Sequence, residues 1–336
     1  MAARAVIFGC LGTTLSDAER DFFRASEPWG FILFARNIVS PEQVRALTDT
    51  LRETVGRDAP VLIDQEGGRV ARMRAPHWRE WAPALVECDR QPDVTARRKV
   101  MHLRSRIIAS ELRRVGVDVN CAPVLDLAGA TTHAVLKNRC YGSDPAEVAK
   151  IGRAVAEGLM QGGVLPILKH IPGQGRAPLD SHAALPKVEA DAEELRADFA
   201  PFRALSDLPM AMTAHVIYPA HDPERPATLS PEVNHFIREV VGFDGLLMTD
   251  DLSMHALSGP FGARASAALD AGCDVVLHCN GSMDEMEVVA TATPALTGRA
   301  LARAKAALAR RSEPETADLD TMIGEYEALT RSVADA

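Results

Sequence analysis

Short apolar runs alternate with longer stretches of mixed polarity along this chain. Runs such as Phe31-Ile32-Leu33, Val61-Leu62-Ile63, Val164-Leu165-Pro166-Ile167-Leu168 and Leu246-Leu247-Met248 are continuously apolar. That is how strands read when both faces of a parallel sheet are covered. Taken in order, such runs predict strands at 4–9, 30–34, 60–64, 117–121, 164–168, 208–213, 245–249 and 273–278. The amphipathic segments between them predict helices over 15–25, 41–56, 92–115, 145–161, 190–205, 231–241, 260–271 and 299–311. Ser40-Pro41-Glu42 and Ser230-Pro231-Glu232 each offer serine at an N-cap, proline at the first helical position and an acid in the first turn.

Strands that alternate with helices in this way predict an α/β fold, a TIM-like (β/α)8 barrel. An open doubly wound sheet fits the same pattern, because periodicity does not show whether a parallel sheet closes. No Ser/Gly-rich linker, charge block or short repeat divides the chain, so residues 1–336 are read as a single domain. A helical tail from about 312 to 336 is expected to pack on the outside without contributing chemistry.

Composition narrows the function more than the fold. The hydrophobic fraction of 47% supplies an ample core, and a formal net charge of −9 argues against a nucleic-acid or anionic-membrane partner. The apolar run near the amino terminus, Ala5-Val6-Ile7-Phe8-Gly9-Cys10, is too short to span a bilayer and lacks a secretory pattern, so a cytoplasmic protein is expected. Six cysteines are scattered without a Cys-x-x-Cys pair, which reads as buried free thiols. A monomer is the default expectation.

The densest reactive stretch is Lys169-His170-Ile171-Pro172-Gly173-Gln174-Gly175, followed by Asp180-Ser181-His182. It gathers a cation, two imidazoles and a carboxylate just beyond an apolar strand. Polar groups recur at the other predicted strand ends: Asp64, Asp126, His215, Asp250 and Asp251. In a barrel these converge on one face, where such folds keep their chemistry; taken singly, each is equally well a polar cap on a strand. Asp250 is a candidate nucleophile or base, and Asp251 is expected to point elsewhere and cap the next segment. Asp180 and His182 are spaced for a carboxylate to orient an imidazole, although an Asx turn beside a surface histidine has the same spacing. The segment Asp64-Gln65-Glu66-Gly67-Gly68-Arg69-Val70-Ala71-Arg72 can gather an acid and two guanidinium groups with little bulk between them. Gly173-Gln174-Gly175 matches neither a Walker pattern nor a dinucleotide fingerprint, and the histidines form no metal-ligand array, so no metal is expected. Trp29, Trp78 and Trp81 offer either a sugar-stacking face or core packing.

These residues resemble the single-domain bacterial β-N-acetylhexosaminidases of glycoside hydrolase family 3, the NagZ type of cell-wall recycling. The resemblance runs through Gly30-Phe31-Ile32-Leu33-Phe34-Ala35-Arg36-Asn37, Asp64-Gln65-Glu66-Gly67-Gly68-Arg69-Val70, Ala122-Pro123-Val124-Leu125-Asp126, Asn138-Arg139, Lys169-His170, Asp180-Ser181-His182 and Thr249-Asp250-Asp251-Leu252-Ser253-Met254. It implies a (β/α)8-type barrel that needs no metal or other cofactor and removes terminal β-linked N-acetylglucosamine with retention. A muropeptide or other N-acetylglucosamine-containing small molecule is the implied partner. By motif, it implies Asp250 as nucleophile, His182 as general acid and base, and Asp180 as the group that orients His182. Asp64, Arg72, Arg139, Lys169 and His170 would hold the sugar. Where the family reads Pro-Gly-His-Gly-Asp-Thr, this chain has Pro172-Gly173-Gln174-Gly175-Arg176-Ala177. That departure is expected to bear on loop closure and on the groups beyond the scissile bond. Two other readings stand beside this one: a Schiff-base lyase using Lys169, and a sugar-binding sensor without turnover.

Overall fold

The structure is a computed structural model that describes residues 3–331. Eight parallel strands form a closed barrel: β1 (Arg4–Gly9), β2 (Pro28–Leu33), β3 (Val61–Ile63), β4 (Val119–Asn120), β5 (Leu165–Ile171), β6 (Met210–Thr213), β7 (Leu246–Asp251) and β8 (Val275–His278). Each strand pairs with the next in sequence. Strand β1 pairs with both β2 and β8, so the sheet has no edge and the open-sheet alternative falls away. Every predicted strand is present. Strand β4 is shorter than expected because the chain turns at Ala122-Pro123, where proline has no N–H for a ladder bond.

Side-chain alternation divides each strand between two cores. Ile7, Ile32, Leu62, Val119, Ile167, Met212, Met248 and Leu277 fill the barrel interior. Their neighbours Phe8, Phe31, Ile63, Leu168, Ala211, Leu247 and Val276 face the surrounding helices. Leu296, Ala304 and Ala307 join the interior cluster from the far end. There the backbone of 294–296 bonds to Ala3 and Ala5, which closes the barrel at the amino-terminal end of its strands.

The helices that follow the strands are α1 (Asp17–Ser26), α2 (Pro41–Val55), α3 (Val94–Arg114), α4 (Pro145–Gln161), α5 (Ala192–Ala204), α6 (Pro231–Phe236), α7 (Phe261–Ala271) and α8 (Gly298–Leu308). Ser40 and Ser230 cap their helices as the sequence implies, accepting from Gln43 and Val233 backbone N–H groups. The run predicted as one helix over 231–241 is α-helical to Phe236, widens into a π turn over Ile237–Val241, and stops at Gly242 with φ of 80°. Three short helices (Ala84–Asp89, Ala134–Lys137, Met283–Ala292) and two small antiparallel hairpins (Gln65–Gly67 with Val70–Ala71, Ile217–Tyr218 with Asp222–Pro226) were not foreseen. Both hairpins leave the carboxyl ends of barrel strands and so build up one face. The tail helix Leu319–Arg331 packs outside, against α3; residues 332–336 of the predicted tail lie outside the described residues.

Helices α3 and α4 cross closely at Gly158, where an added Cβ would lie 2.5 Å from His102 O and 3.1 Å from Arg106 N. Gly→Ala inside a helix ordinarily gains about 0.5–1 kcal/mol. Here backbone is in the way, so Gly158→Ala is expected to destabilise by about 1–3 kcal/mol, read from the urea midpoint. A midpoint at or above that of the wild type would show that the two helices separate freely.

Candidate active site

At the carboxyl ends of the strands lies a cavity of about 330 Å³, lined in part by Phe34, Asp64, Arg72, Arg139, Lys169, His170, His182, Asp250 and Asp251. That is near the lower end of ligand-site volumes, roughly 300–1,000 Å³. A larger groove of about 640 Å³ lies on the flank between α6 and α8. Two of its three arginines, Arg238 and Arg303, are committed to Asp274 and Asp244, and it presents no comparable reactive set.

The floor of the cavity is an ion cluster. Asp64 follows directly on strand β3, and the hairpin after it continues the alternation, so Asp64 and Glu66 share a face while Gln65 turns inward to bond the Arg72 and Met73 N–H groups and the Met73 carbonyl. Lys169, on β5, lies 2.8 Å from Asp64 Oδ1 and 2.6 Å from Glu66 Oε1. Arg72 Nη2 reaches Asp64 Oδ2 at 2.9 Å. Arg139, from the loop after β4, grips Glu66 through two bonds, of 2.9 and 2.8 Å. Burial alone would raise the Glu66 carboxyl, but Arg139 and Lys169 more than reverse this and bring it to about 2. Its contribution to stability is therefore present above the unfolded carboxylate range and fades only as pH falls towards about 2.

Lys169 shows the converse balance. Burial would lower its pKa, and Asp64 and Glu66 more than offset that, so the amine is held as an ammonium. A Schiff-base lysine needs a depressed pKa and a free amine, so the ion pairs of Lys169 with both carboxylates argue against the lyase reading.

Asp250 differs from every other carboxylate in the cavity. Both oxygens of Asp64 and of Glu66 are taken by cations. Both oxygens of Asp251 are taken by Ser253, and one also by the Cys279 N–H, so this residue caps the following turn as expected. Asp250 Oδ1 accepts from the Asp251 N–H at 2.8 Å, whereas the nearest ionic partner of Oδ2 is His170 Nε2 at 4.0 Å. Among these four carboxylates, Asp64, Glu66, Asp250 and Asp251, it is the one with an oxygen left to form a bond. Burial would raise its pKa, and the imidazoles of His170, His215 and His182 more than offset this, so it stays ionised below the usual carboxylate range.

Behind it, His170 Nδ1 lies 2.7 Å from Asp126 Oδ2 and 2.8 Å from the Gln174 side-chain nitrogen. Donation to Asp126 leaves Nε2 facing Asp250 and Arg139 Nη2, the latter at 3.4 Å. His215 is fully buried and bonded to Thr228 Oγ1 and the Asp251 carbonyl, so it supports the end of β7 from behind.

The remaining two predicted groups sit on the long loop after β5. His182 Nδ1 lies 2.8 Å from Asp180 Oδ1, which also accepts from the His182 backbone N–H at 3.0 Å. The His182 side chain is 60% exposed, placing the pair at the cavity mouth with one ring nitrogen uncommitted. Burial would raise the Asp180 carboxyl, and its bonds from His182 more than offset that. The arrangement offers an oriented proton carrier across an opening from an ionised carboxylate.

The two substituted loop residues take nothing out of the cavity floor. Gln174 is buried, its backbone N–H bonding Asp126 Oδ1 at 2.7 Å. Arg176 has acidic partners on the neighbouring helix. It bonds Asp198 of α5 at 2.6 Å and reaches Glu194 at 3.5 Å, which moors the start of the loop. The tryptophans prove to be core residues; none lines the cavity, and Phe34 supplies its aromatic wall, with the Arg72 guanidinium 5.1 Å from the ring centre. All six cysteines are buried and unpaired. Among the described residues, no group of three or more His, Cys, Asp or Glu side chains is arranged to hold a metal ion, and no helix is long and apolar enough to cross a membrane.

All the predicted site residues, Asp64, Arg72, Arg139, Lys169, His170, Asp180, His182 and Asp250, come together around this one opening. Sequence reasoning passed over Glu66 and left Asp126 without a role. The signal for Glu66 was present, since a strand carried two residues past Asp64 returns to the same face.

Residues 13–310 match the family described as "Glycosyl hydrolase family 3 N terminal domain". The chain is 41% identical over 281 residues to a β-hexosaminidase of Alkalilimnicola ehrlichii, covering 82% of this chain and 80% of that one. Among solved structures, it is similar to NagZ from Neisseria gonorrhoeae in complex with N-trifluoroacetyl-D-glucosamine, at 29% identity and a TM-score of 0.84, covering 100% of this chain and 98% of that one. It is also similar to a glycoside hydrolase family 3 β-N-acetylglucosaminidase from Paenibacillus sp., at 32% identity and a TM-score of 0.79; 99% of this chain aligns, spanning 62% of that longer protein. With a closed barrel whose carboxylates meet at the strand ends, and a family match over most of its length, the chain belongs to glycosyl hydrolase family 3 and is a glycoside hydrolase.

Proposed function

We propose that the chain is an exo-acting, retaining β-N-acetylglucosaminidase. Its natural substrates on this reading are N-acetylglucosaminyl-1,6-anhydro-N-acetylmuramic acid and its peptide derivatives, met during peptidoglycan recycling in the cytoplasm by a monomeric enzyme. The observation that carries the reading is the ionised carboxylate of Asp250, with one oxygen free, facing a small polar cavity whose mouth holds the Asp180–His182 pair. The names of the relatives support the sugar.

In the first step, the free Asp250 oxygen attacks the anomeric carbon and forms an ester while the glycosidic C–O bond breaks. The departing oxygen takes a proton from His182, whose imidazolium charge Asp180 stabilises. In the second, the neutral imidazole removes a proton from water, whose oxygen displaces the Asp250 carboxylate. Two inversions give net retention. A retaining glycosidase ordinarily uses two carboxyl groups about 5 Å apart; here an imidazole takes the second place. Asp64, Arg72, Arg139, Lys169 and His170 hold the ring, and the limited volume of the cavity suits one terminal residue.

The test is a proton NMR time course on the anhydro-disaccharide, with p-nitrophenyl β-N-acetylglucosaminide and β-glucoside as companions. The β-anomer of N-acetylglucosamine is expected first, with the glucoside turned over far more slowly and EDTA without effect. Initial release of the α-anomer would overturn the retaining mechanism, and equal rates on both p-nitrophenyl glycosides would overturn the sugar assignment. Binding of N-acetylglucosamine with no turnover would move the sensor reading ahead.

A further inference from the structure

The tail helix Leu319–Arg331 lies beyond the family match, which ends at residue 310, yet a buried chain of polar groups runs from it to the cavity. Tyr326, 7% exposed, donates its hydroxyl to Glu87 Oε1. The other oxygen of Glu87 accepts from Arg104 Nη1, and both side chains are 1% exposed. Arg104 Nη2 then donates to the Glu66 carbonyl oxygen at 2.6 Å. Glu66 is the residue whose carboxylate joins Lys169 to Arg139.

The surroundings are shaped to admit this chain. Gly67 has a φ of 108°, and a Cβ there would lie 1.8 Å from Arg104 Nη2, so the guanidinium passes where any other residue would put a side chain. Trp81 is wedged between the two ends, 5.2 Å from the Tyr326 ring centre and with the Arg104 guanidinium 5.7 Å from its own. The backbone carbonyl of Trp81 also accepts from the Gly68 N–H at 2.9 Å.

We propose that Tyr326, Glu87 and Arg104 are positioning residues for the sugar-holding cluster: they fix the backbone of Glu66 and thereby the carboxylate that sets the spacing of Lys169 and Arg139. This rests on the assignment of that cluster to sugar binding. The carboxylate of Glu66 satisfies two cations at once, so a small shift of its backbone lengthens bonds on both sides, and buried networks of this kind are sensitive to a single lost partner. Loss of register should weaken ground-state and transition-state binding together, which raises KM and leaves kcat nearly unchanged.

The experiment compares full-length Tyr326→Phe with Ile323→Ala. The first keeps the ring and removes only the hydroxyl; the second trims a partly buried apolar contact on the same helix. Each variant is measured for KM and kcat on p-nitrophenyl β-N-acetylglucosaminide, for thermal midpoint, and for amide hydrogen exchange over residues 64–72. Tyr326→Phe is expected to raise KM about fivefold with kcat within twofold, and to speed exchange in 64–72. Ile323→Ala is expected to lower the midpoint by as much or more without either change. Exchange and KM in Tyr326→Phe that match Ile323→Ala would overturn the proposal. If the wild-type protein hydrolyses no N-acetylglucosaminide, the functional reading fails, while the exchange comparison still decides whether the relay positions Glu66.

Discussion

Replacing Asp250 by asparagine is expected to lower kcat by on the order of 10⁴-fold or more while the fold stays intact. The amide is isosteric and its oxygen still accepts from the Asp251 N–H, so the end of β7 keeps its bond. What disappears is the negative oxygen that would form the ester. The alternatives for that role are poor: Asp64 and Glu66 have both oxygens bound to buried cations, and attack by either would strand an unpaired charge. The measurement is p-nitrophenol release beside a thermal midpoint. Retention of activity within tenfold would mean that another group attacks, or that none does.

On the proposed mechanism, the same residue is expected to set the acid side of the pH profile. Its carboxyl lies below the ordinary value of 3.8 because three imidazoles outweigh its burial. The active form is the ionised one, so kcat/KM falls only as pH drops through that lowered value, beneath the usual carboxylate range.

The second large effect is expected at His182. Replacement by glutamine should cost roughly 10²–10⁴-fold on the anhydro-disaccharide, whose leaving oxygen needs a proton. On the p-nitrophenyl substrate the first step should suffer much less, because that leaving group departs unprotonated. Hydrolysis of the ester then becomes limiting and a burst of p-nitrophenol should appear. The alkaline limb of the profile should vanish with the imidazole. Asp180→Asn should fall between, since Asn can still accept from the His182 backbone N–H but not stabilise a charged ring. Equal losses on both substrates, with the alkaline limb intact, would remove His182 from proton transfer.

How much of this was legible in the sequence depended on the range of the interaction involved. The eight barrel strands were, because each is a short apolar run set between amphipathic segments, and so were the helices between them, two of them marked by Ser40 and Ser230 at the N-cap. Barrel closure was not. It depends on β1 meeting β8, a contact between residues such as Val6 and Val276 that no local pattern encodes. The site residues were legible as strand-end polar groups, but their division of labour was not. Glu66 acquires its role from Arg139, 73 positions away, and Asp126 from His170, 44 positions away. Arg176 is a further case: the departure was visible in the sequence, but its partner Asp198 meets it only when α5 folds back onto that loop.

The cavity floor is carried on barrel strands and on the segments that follow β3 and β4, whereas Asp180 and His182 belong to a loop moored by Arg176 on Asp198 at one end and by the Val188–Ile217 backbone bond at the other. On the proposed roles, the groups that hold the sugar and the group that protonates what leaves it are thus stored in separable lengths of chain. Changes in the length or sequence of this loop between its two moorings can therefore reshape the mouth of the cavity without moving Asp250 or the ion cluster beneath it.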